Sequence, residues 1–205
     1  MTSHRELLVA GLQSPAAYPH DVRSVQVRET HISWVFLTGE FAYKVKKPVQ
    51  TPFLDFHTLE QREAMCHEEF RLNRRHASDL YLDVPPITGS CSAPQLNGTG
   101  EPIEYALQMR QFPEKALLSR MAEAGNLRPD HVDELAQVVG RMHATTTALP
   151  LDAPWGRADT IVREAHDNLA ALNAAACPAV LQQTDQLTRW TATAAERLHR
   201  VFEQR

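Results

Sequence analysis

Long apolar runs are missing from these 205 residues. No stretch approaches the ~18 consecutive apolar residues that a membrane helix needs, and mean hydropathy is -0.37. The Leu7-Leu8-Val9-Ala10 patch is too short for the apolar region of a signal peptide. No membrane partner is expected, and the expected localisation is cytoplasmic. Cysteine is scarce. Cys66, Cys91 and Cys177 lie far apart and form no C-x-x-C pair, which excludes a disulfide framework and fits a reducing compartment. A basic excess is missing too. Against 25 Asp and Glu stand 21 Lys and Arg, for a formal net charge of -4, so no global field draws in nucleic acid. One local cluster, Arg71, Arg74, Arg75 and His76, is spread around a helix by its spacing and gives a weak field. No nucleic-acid partner is expected. There are 10 histidines but no H-E-x-x-H. Cys66-His67-Glu68-Glu69 gathers ligand types, yet successive helical residues point different ways. No metal site is expected in this chain.

What is present is a globular composition, 43% hydrophobic and 22% charged, which excludes wholesale disorder. At ~150 residues per domain the length corresponds to about 1.4 domains. That means one large domain, two small ones, or a piece of something larger. The character of the chain changes near residue 113, from strand patterns to helix patterns, and this divides it into residues 1–112 and 113–205.

Residues 4 to 12 read as a short helix ended by Pro15 and Pro19. Val25 and Val27 alternate in one strand, and Ile32, Trp34 and Phe36 in the next. Thr38-Gly39-Glu40 breaks the pattern as a tight turn, and Phe41, Tyr43 and Val45 resume it until Pro48. Thr58-Leu59-Glu60-Gln61 is a capping-box pattern that opens a helix running to about Arg75. Asp79 to Ile87 reads as extended, with Pro85-Pro86 at an edge or bend. Gly89 to Pro102 reads as a loop, and Ile103, Tyr105, Leu107 and Met109 as a strand. Beyond Pro113 come helices over Lys115–Ala124, from Pro129, around Ile161–Leu172 and from about Pro178 to Phe202. A Pro-rich connection spans Leu149 to Pro154. The stripe Val132, Leu135, Ala136, Val139 and Met142 has helical spacing.

The chemistry is concentrated on one strand and one helix. In Phe41-Ala42-Tyr43-Lys44-Val45, alternation sends Phe41, Tyr43 and Val45 one way and Ala42 and Lys44 the other. A small residue followed two positions later by a lysine is what a strand beside an adenine and its phosphates needs. A surface lysine on an amphipathic strand is the plainer reading, and Lys46 and Lys47 nearby favour it. On the helix from Thr58, stepping about 100° per residue from Met65 puts the apolar arc at about 60°. Glu69 falls at about 40°, inside the arc, and Glu68 at about 300°, off its edge. A carboxylate on a buried face needs a partner. Lys44 is one candidate; Asn73 or Arg62 on a more exposed helix are the alternatives.

The run Val35–Pro48 resembles the lysine strand of the aminoglycoside-phosphotransferase-like family. It is closer still to the bacterial branch often fused to a C-terminal P-loop ATPase domain. Glu68–Arg75 with Arg71-Leu72-Asn73-Arg74-Arg75, Asp79–Leu82, Met109–Pro113 and Leu135–Ala144 are similar to the same branch. The resemblance covers roughly residues 20 to 205. It implies an α+β, protein-kinase-like fold: an antiparallel small lobe with one packed helix, then an incomplete helical lobe. It further implies ATP and Mg²⁺ as cofactors and a small-molecule hydroxyl as phosphate acceptor. Lys44 would hold the phosphates and Glu69 would orient Lys44. Ala42 and the stretch Met109, Arg110, Gln111 and Phe112 would line the adenine, the latter through backbone groups.

Several family motifs are missing. No H-G-D-x-x-x-x-N loop occurs. His131-Val132-Asp133 has Val138 where the Asn should be, and His166-Asp167-Asn168 lacks the spacing. No G-x-x-x-x-G-K-[ST] and no G-x-G-x-x-G occur either. The expectation is therefore the N-terminal part of a small-molecule phosphotransferase, inactive in transfer as it stands. The alternatives are a nucleotide-binding or regulatory module without catalysis, and a structural or interaction domain whose helices dock onto a partner, with self-association through the helical part as one such contact.

Overall fold

The computed structural model describes residues 4–51, 54–150, 153, 157–175 and 178–203. The chain divides into two compact units, Met1–Met142 and His143–Arg205. The switch from strand to helix near residue 113 is a change of secondary structure inside the first unit.

The first unit opens with α1 (His4–Leu12) and a 3₁₀ turn at Pro15–Ala17. Strands β1 (Gln26–Glu29), β2 (Ser33–Leu37) and β3 (Phe41–Lys46) follow. A small separate hairpin, β4 (Gln50–Thr51) with β5 (Leu54–Asp55), leads into α2 (Leu59–Arg74). Four more strands come next: β6 (Tyr81–Asp83), β7 (Pro86–Ser90), β8 (Ala93–Leu96) and β9 (Glu104–Arg110). The main sheet is antiparallel with order β1-β2-β3-β9-β7-β8, and β6 also pairs with β9. The architecture is α+β.

Strand alternation gives the sheet two different faces. On one, Trp34, Phe36, Tyr43, Val45, Ile87, Leu96 and Ala106 pack with Leu8 and Leu12 of α1 and with Tyr18. Leu8 and Leu12 are one helical turn apart, so both point at the sheet. Tyr18 Oη donates to Leu12 O at 2.6 Å and ties down the end of α1. On the other face, Leu107 packs with Cys66 of α2 and with Val84, flanked by Phe70, Tyr81, Tyr105 and Met109. Burying each large apolar side chain contributes roughly 1.5 to 3 kcal/mol. Gly39 makes the β2–β3 turn at φ +100°, a region that side chains with a Cβ rarely adopt.

Three expectations change. Gly89 to Pro102 is not all loop, because β7 and β8 form a hairpin there. Gly89, at φ +84°, lies beside the turn, and Pro94 pairs with it. β8 is an edge strand, where a proline's missing N–H costs no ladder bond. Lys115–Ala124 is not one helix. A 3₁₀ turn at Glu114–Ala116 and α3 (Leu118–Glu123) are separated by Leu117 in extended conformation. Neither piece has a side-chain cap, and short uncapped helices gain little from propensity alone. Met65 and Leu72, placed in the apolar arc of α2, are exposed at its edge.

Helix α4 (Pro129–Thr145) begins at Pro129 as the sequence reading has it, yet it buries no residue. In the second unit, α5 (Ala158–Ala175) packs against α6 (Pro178–Glu203), with Leu169 buried. Thr184 Oγ1 donates to Asn173 Oδ1 between them. Cys177 and part of the Leu149–Pro154 connection lie outside the described residues. Among the described residues, no helix is long and apolar enough to cross a membrane.

Candidate functional site

β3 carries Ala42, Lys44 and Lys46 on the face that receives α2, and Phe41, Tyr43 and Val45 on the face that receives α1. The start of α2 is fixed first. Thr58 Oγ1 accepts from Gln61 N at 3.3 Å, and Gln61 Oε1 accepts from Thr58 N at 2.9 Å. One turn in, buried Arg62 donates from Nε to Glu104 Oε2 at 2.8 Å. Its Nη1 donates to Phe56 O and His57 O, both at 3.0 Å. This pins the N-terminal end of α2 to the start of β9.

Two turns further, α2 presents Glu69. Lys44 Nζ lies 2.8 Å from Glu69 Oε1, and Lys46 Nζ lies 2.7 Å from Glu69 Oε2. The structure brings together the strand lysine and helix glutamate that the sequence singled out. Arg62 is committed to Glu104, and Asn73 Nδ2 donates to the backbone carbonyl of Glu69 rather than to its side chain. Glu68 points out of the interface and pairs with Arg71 on the helix surface.

Burial of Glu69 works against its charge, but hydrogen bonds from Lys44 and Lys46 and their two charges outweigh it. The carboxyl is held below its ordinary value. Tyr81 lies close by, its phenol raised by partial burial and by the Glu69 charge. Cys66 sits beneath the cluster, fully buried, its thiol pushed up to about 11 chiefly by burial. A thiol raised that far is not a nucleophile at neutral pH. Burial also raises the Glu104 carboxyl, against the opposing Arg62 charge.

The predicted adenine residues divide. Met109 pairs with Ala42 across β9 and β3, on the same face as Lys44. Arg110 pairs with Phe41, whose side chain belongs to the opposite core. Arg110 N donates to Leu80 O at 2.8 Å, and Gln111 N donates to Glu40 O at 2.9 Å. The Arg110 and Gln111 amides, among the backbone groups expected to face an adenine edge, are thus taken by the chain itself. Gln111 Oε1 accepts from Gly39 N at 2.8 Å, and Phe112 is exposed. A cavity of about 380 Å³ lies at this end of the sheet, lined by residues including Asp21, Arg23, Gln26, Leu37 and Gln111. It contains none of Lys44, Lys46 and Glu69. The Lys44–Lys46–Glu69 cluster and this cavity are therefore separate places on the sheet.

One site residue, Lys46, escaped the sequence reading, and Arg62, considered there as a partner of Glu69, pairs with Glu104 instead. Lys46 counted as background charge, yet its i, i+2 spacing from Lys44 already put both on one strand face. Lys47, one residue on, goes the other way, pairing with Glu29 and lying over the Trp34 ring. Arg62 falls at about 60° on the helix projection that selected Glu69, so it too had a readable position. Among the described residues, no three His, Cys, Asp or Glu side chains gather as a metal centre.

No protein-family model matches the chain, and no solved structure matches it. It is 36% identical over 148 residues to an uncharacterized protein of Mycobacterium bovis and to uncharacterized proteins of two Mycobacterium tuberculosis strains. The match takes in 72% of this chain and 28% of each of theirs.

Proposed function

We propose that the face carrying Ala42, Lys44, Glu69 and Met109 holds ATP, with its phosphates on Lys44. The observation that carries this reading is the Lys44–Glu69 pair at 2.8 Å between a central strand and the helix packed on it. Phosphoryl transfer rests on positioning and charge stabilisation, and a strand lysine held by a helix glutamate is one recurring device for it. The sheet order also fits the small lobe of a protein-kinase-like fold, since the lysine strand lies next to the strand that leads out to the helices. Cations exceed carboxylates in this cluster, two to one, which suits a polyanion.

The larger activity we propose is transfer of the ATP γ-phosphate, with Mg²⁺, to the hydroxyl of a small molecule. The chain spans about 28% of the length of the curated relatives it matches, and these 205 residues hold no H-G-D-x-x-x-x-N loop. The role proposed for them is nucleotide holding, with the acid–base and metal carboxylates supplied from elsewhere. A regulatory nucleotide-binding module uses the same residues, and the missing loop is the observation that favours it.

Thermal unfolding with and without ATP-Mg²⁺ tests the reading. Nucleotide is expected to raise the midpoint, and Lys44→Ala to abolish the rise. Equal protection in the variant removes the Lys44 assignment. Phosphate transfer by this chain alone, dependent on Lys44, would refute the restriction to binding.

A further inference from the structure

Glu69 is bonded by two lysines that are not equivalent. The Lys46 side chain is 5% exposed and the Lys44 side chain 28%. Lys46 Nζ sits 4.9 Å from the centre of the Phe56 ring, enclosed between that ring and Glu69. Lys44 has Glu69 as its hydrogen-bond partner and keeps an open side. Glu104, the fully buried carboxylate at this interface, is committed to Arg62, whereas Glu69 is part-buried.

A lone buried Lys–Glu pair resists separation, because withdrawing the lysine strands a buried carboxylate without a counter-charge. Here that obstacle is gone. If Lys44 swings away, Glu69 still has Lys46. We infer that Lys46 is a positioning residue whose task is to keep Glu69 compensated, so that Lys44 is free to move onto an incoming polyphosphate. This rests on the nucleotide reading above for the identity of the ligand, though not for the exchange between the two lysines. The unit then works as a fixed cation, a shared carboxylate and a transferable cation. Without Lys46, Glu69 would hold Lys44 for itself and the site would lose its free charge.

The decisive experiment is a double-mutant cycle on the full 205-residue chain, with inorganic tripolyphosphate as the probe. Lys46→Met is expected to weaken binding roughly tenfold, as for loss of one close, partly buried charge interaction. Net charge alone predicts that Glu69→Gln helps equally with or without Lys46. The exchange predicts otherwise: Glu69→Gln changes affinity less than about twofold when Lys46 is present and restores roughly tenfold when it is absent. Equal effects in both backgrounds overturn the inference, as does unaltered binding in Lys46→Met.

A second readout needs no ligand. Acylation of Lys44 by an amine-reactive ester, followed by mass spectrometry, reports how readily its amine leaves Glu69. Around Glu69 the charged or titratable groups are Lys44 and Lys46 of β3, Tyr81 of β6 and Cys66 of α2. Lys46→Met should slow Lys44 acylation roughly tenfold, because Glu69 then holds the Lys44 amine alone. Glu69→Gln should reverse the slowing, and Lys46→Arg should show none. If the wild-type chain binds no polyphosphate, the nucleotide reading fails while the acylation cycle still decides the role of Lys46. Should Lys46→Met not fold, Lys46→Gln against Lys46→Arg carries the same contrast. Unchanged Lys44 reactivity in the non-basic variant overturns the inference.

Discussion

Phe36 on β2 and Leu135 on α4 are both apolar side chains at the right period for their element. Phe36 is fully buried, packed in a cluster with α1, Tyr43 and Val45. Leu135 is 46% exposed, and Val132, Val138 and Val139 around it are exposed as well. Periodicity therefore says which face of an element is apolar, not that anything covers it. Apolar surface stabilises a fold in proportion to the area removed from water. By that measure the sheet and its two covering helices carry the stability of the first unit, and α4 adds little of its own. The candidate site sits in the region that is held. Its lysines stand on a strand flanked by β2 and β9, and its glutamate on a helix pinned at Arg62 and capped at Thr58.

The contrast can be broken most directly at Arg62. Arg62→Ala leaves Glu104 buried without its cation and two backbone carbonyls without their donor, and should cost about 3 to 5 kcal/mol by urea unfolding. A loss near zero would show that α2 is not held there, and that the placement of Glu69 depends on the lysines alone. Phe36→Ala follows, at about 3 to 4 kcal/mol for a ring deleted from a packed core. A much smaller loss would mean that α1 and the sheet close over the gap, making this core looser than its burial implies.

Glu69→Gln sharpens the same contrast within the site. It removes charge-assisted hydrogen bonds, a loss of about 1.5 to 3 kcal/mol at neutral pH. The sign of its pH dependence follows from the fold holding this carboxyl below its ordinary 4.5. The unfolded chain then takes up the proton at a higher pH than the folded one. Stabilisation by the pair is complete above about pH 4.5 and drains away as pH falls through the lower, folded value. Urea midpoints of wild type and variant should lie apart at pH 7 and converge below pH 4. A gap that stays constant with pH would show that Glu69 is not held ionised by the lysines.

The strands, the capping box at Thr58 and the Lys44–Glu69 pairing were legible because each rests on local geometry. Alternation on β3 and the 100° step on α2 fix which side chains can meet, and a buried carboxylate demands a cation. Lys46 was legible by the same alternation but was discounted because Lys47 follows it. Adjacent strand residues face opposite ways, so the two lysines never shared a role. The β7–β8 hairpin was not legible, because Gly89, Pro94 and the serines between them have loop composition, and only edge position makes Pro94 acceptable in a strand. The commitment of the Arg110 and Gln111 amides was not legible either. It depends on Leu80 and Glu40 reaching β9 from elsewhere in the chain, and backbone partners leave no mark on residue identity.

The smallest expected effect tests the uncovered side of the comparison. Leu135→Gln should change the stability of this chain by less than about 0.5 kcal/mol, the usual range for a surface position away from special features. The measurement is urea unfolding repeated across a wide range of chain concentration. A loss above ~1.5 kcal/mol that grows with concentration would mean that a second copy covers the α4 face, as the self-association expected from the sequence requires. A loss of the same size at every concentration would mean that the chain itself covers it, and that Leu135 belongs to a core like that of Phe36. A change below the smaller figure leaves α4 an amphipathic helix whose apolar stripe contributes nothing to this chain's own stability. The stability of the site then has to come from the sheet, α1 and α2 alone.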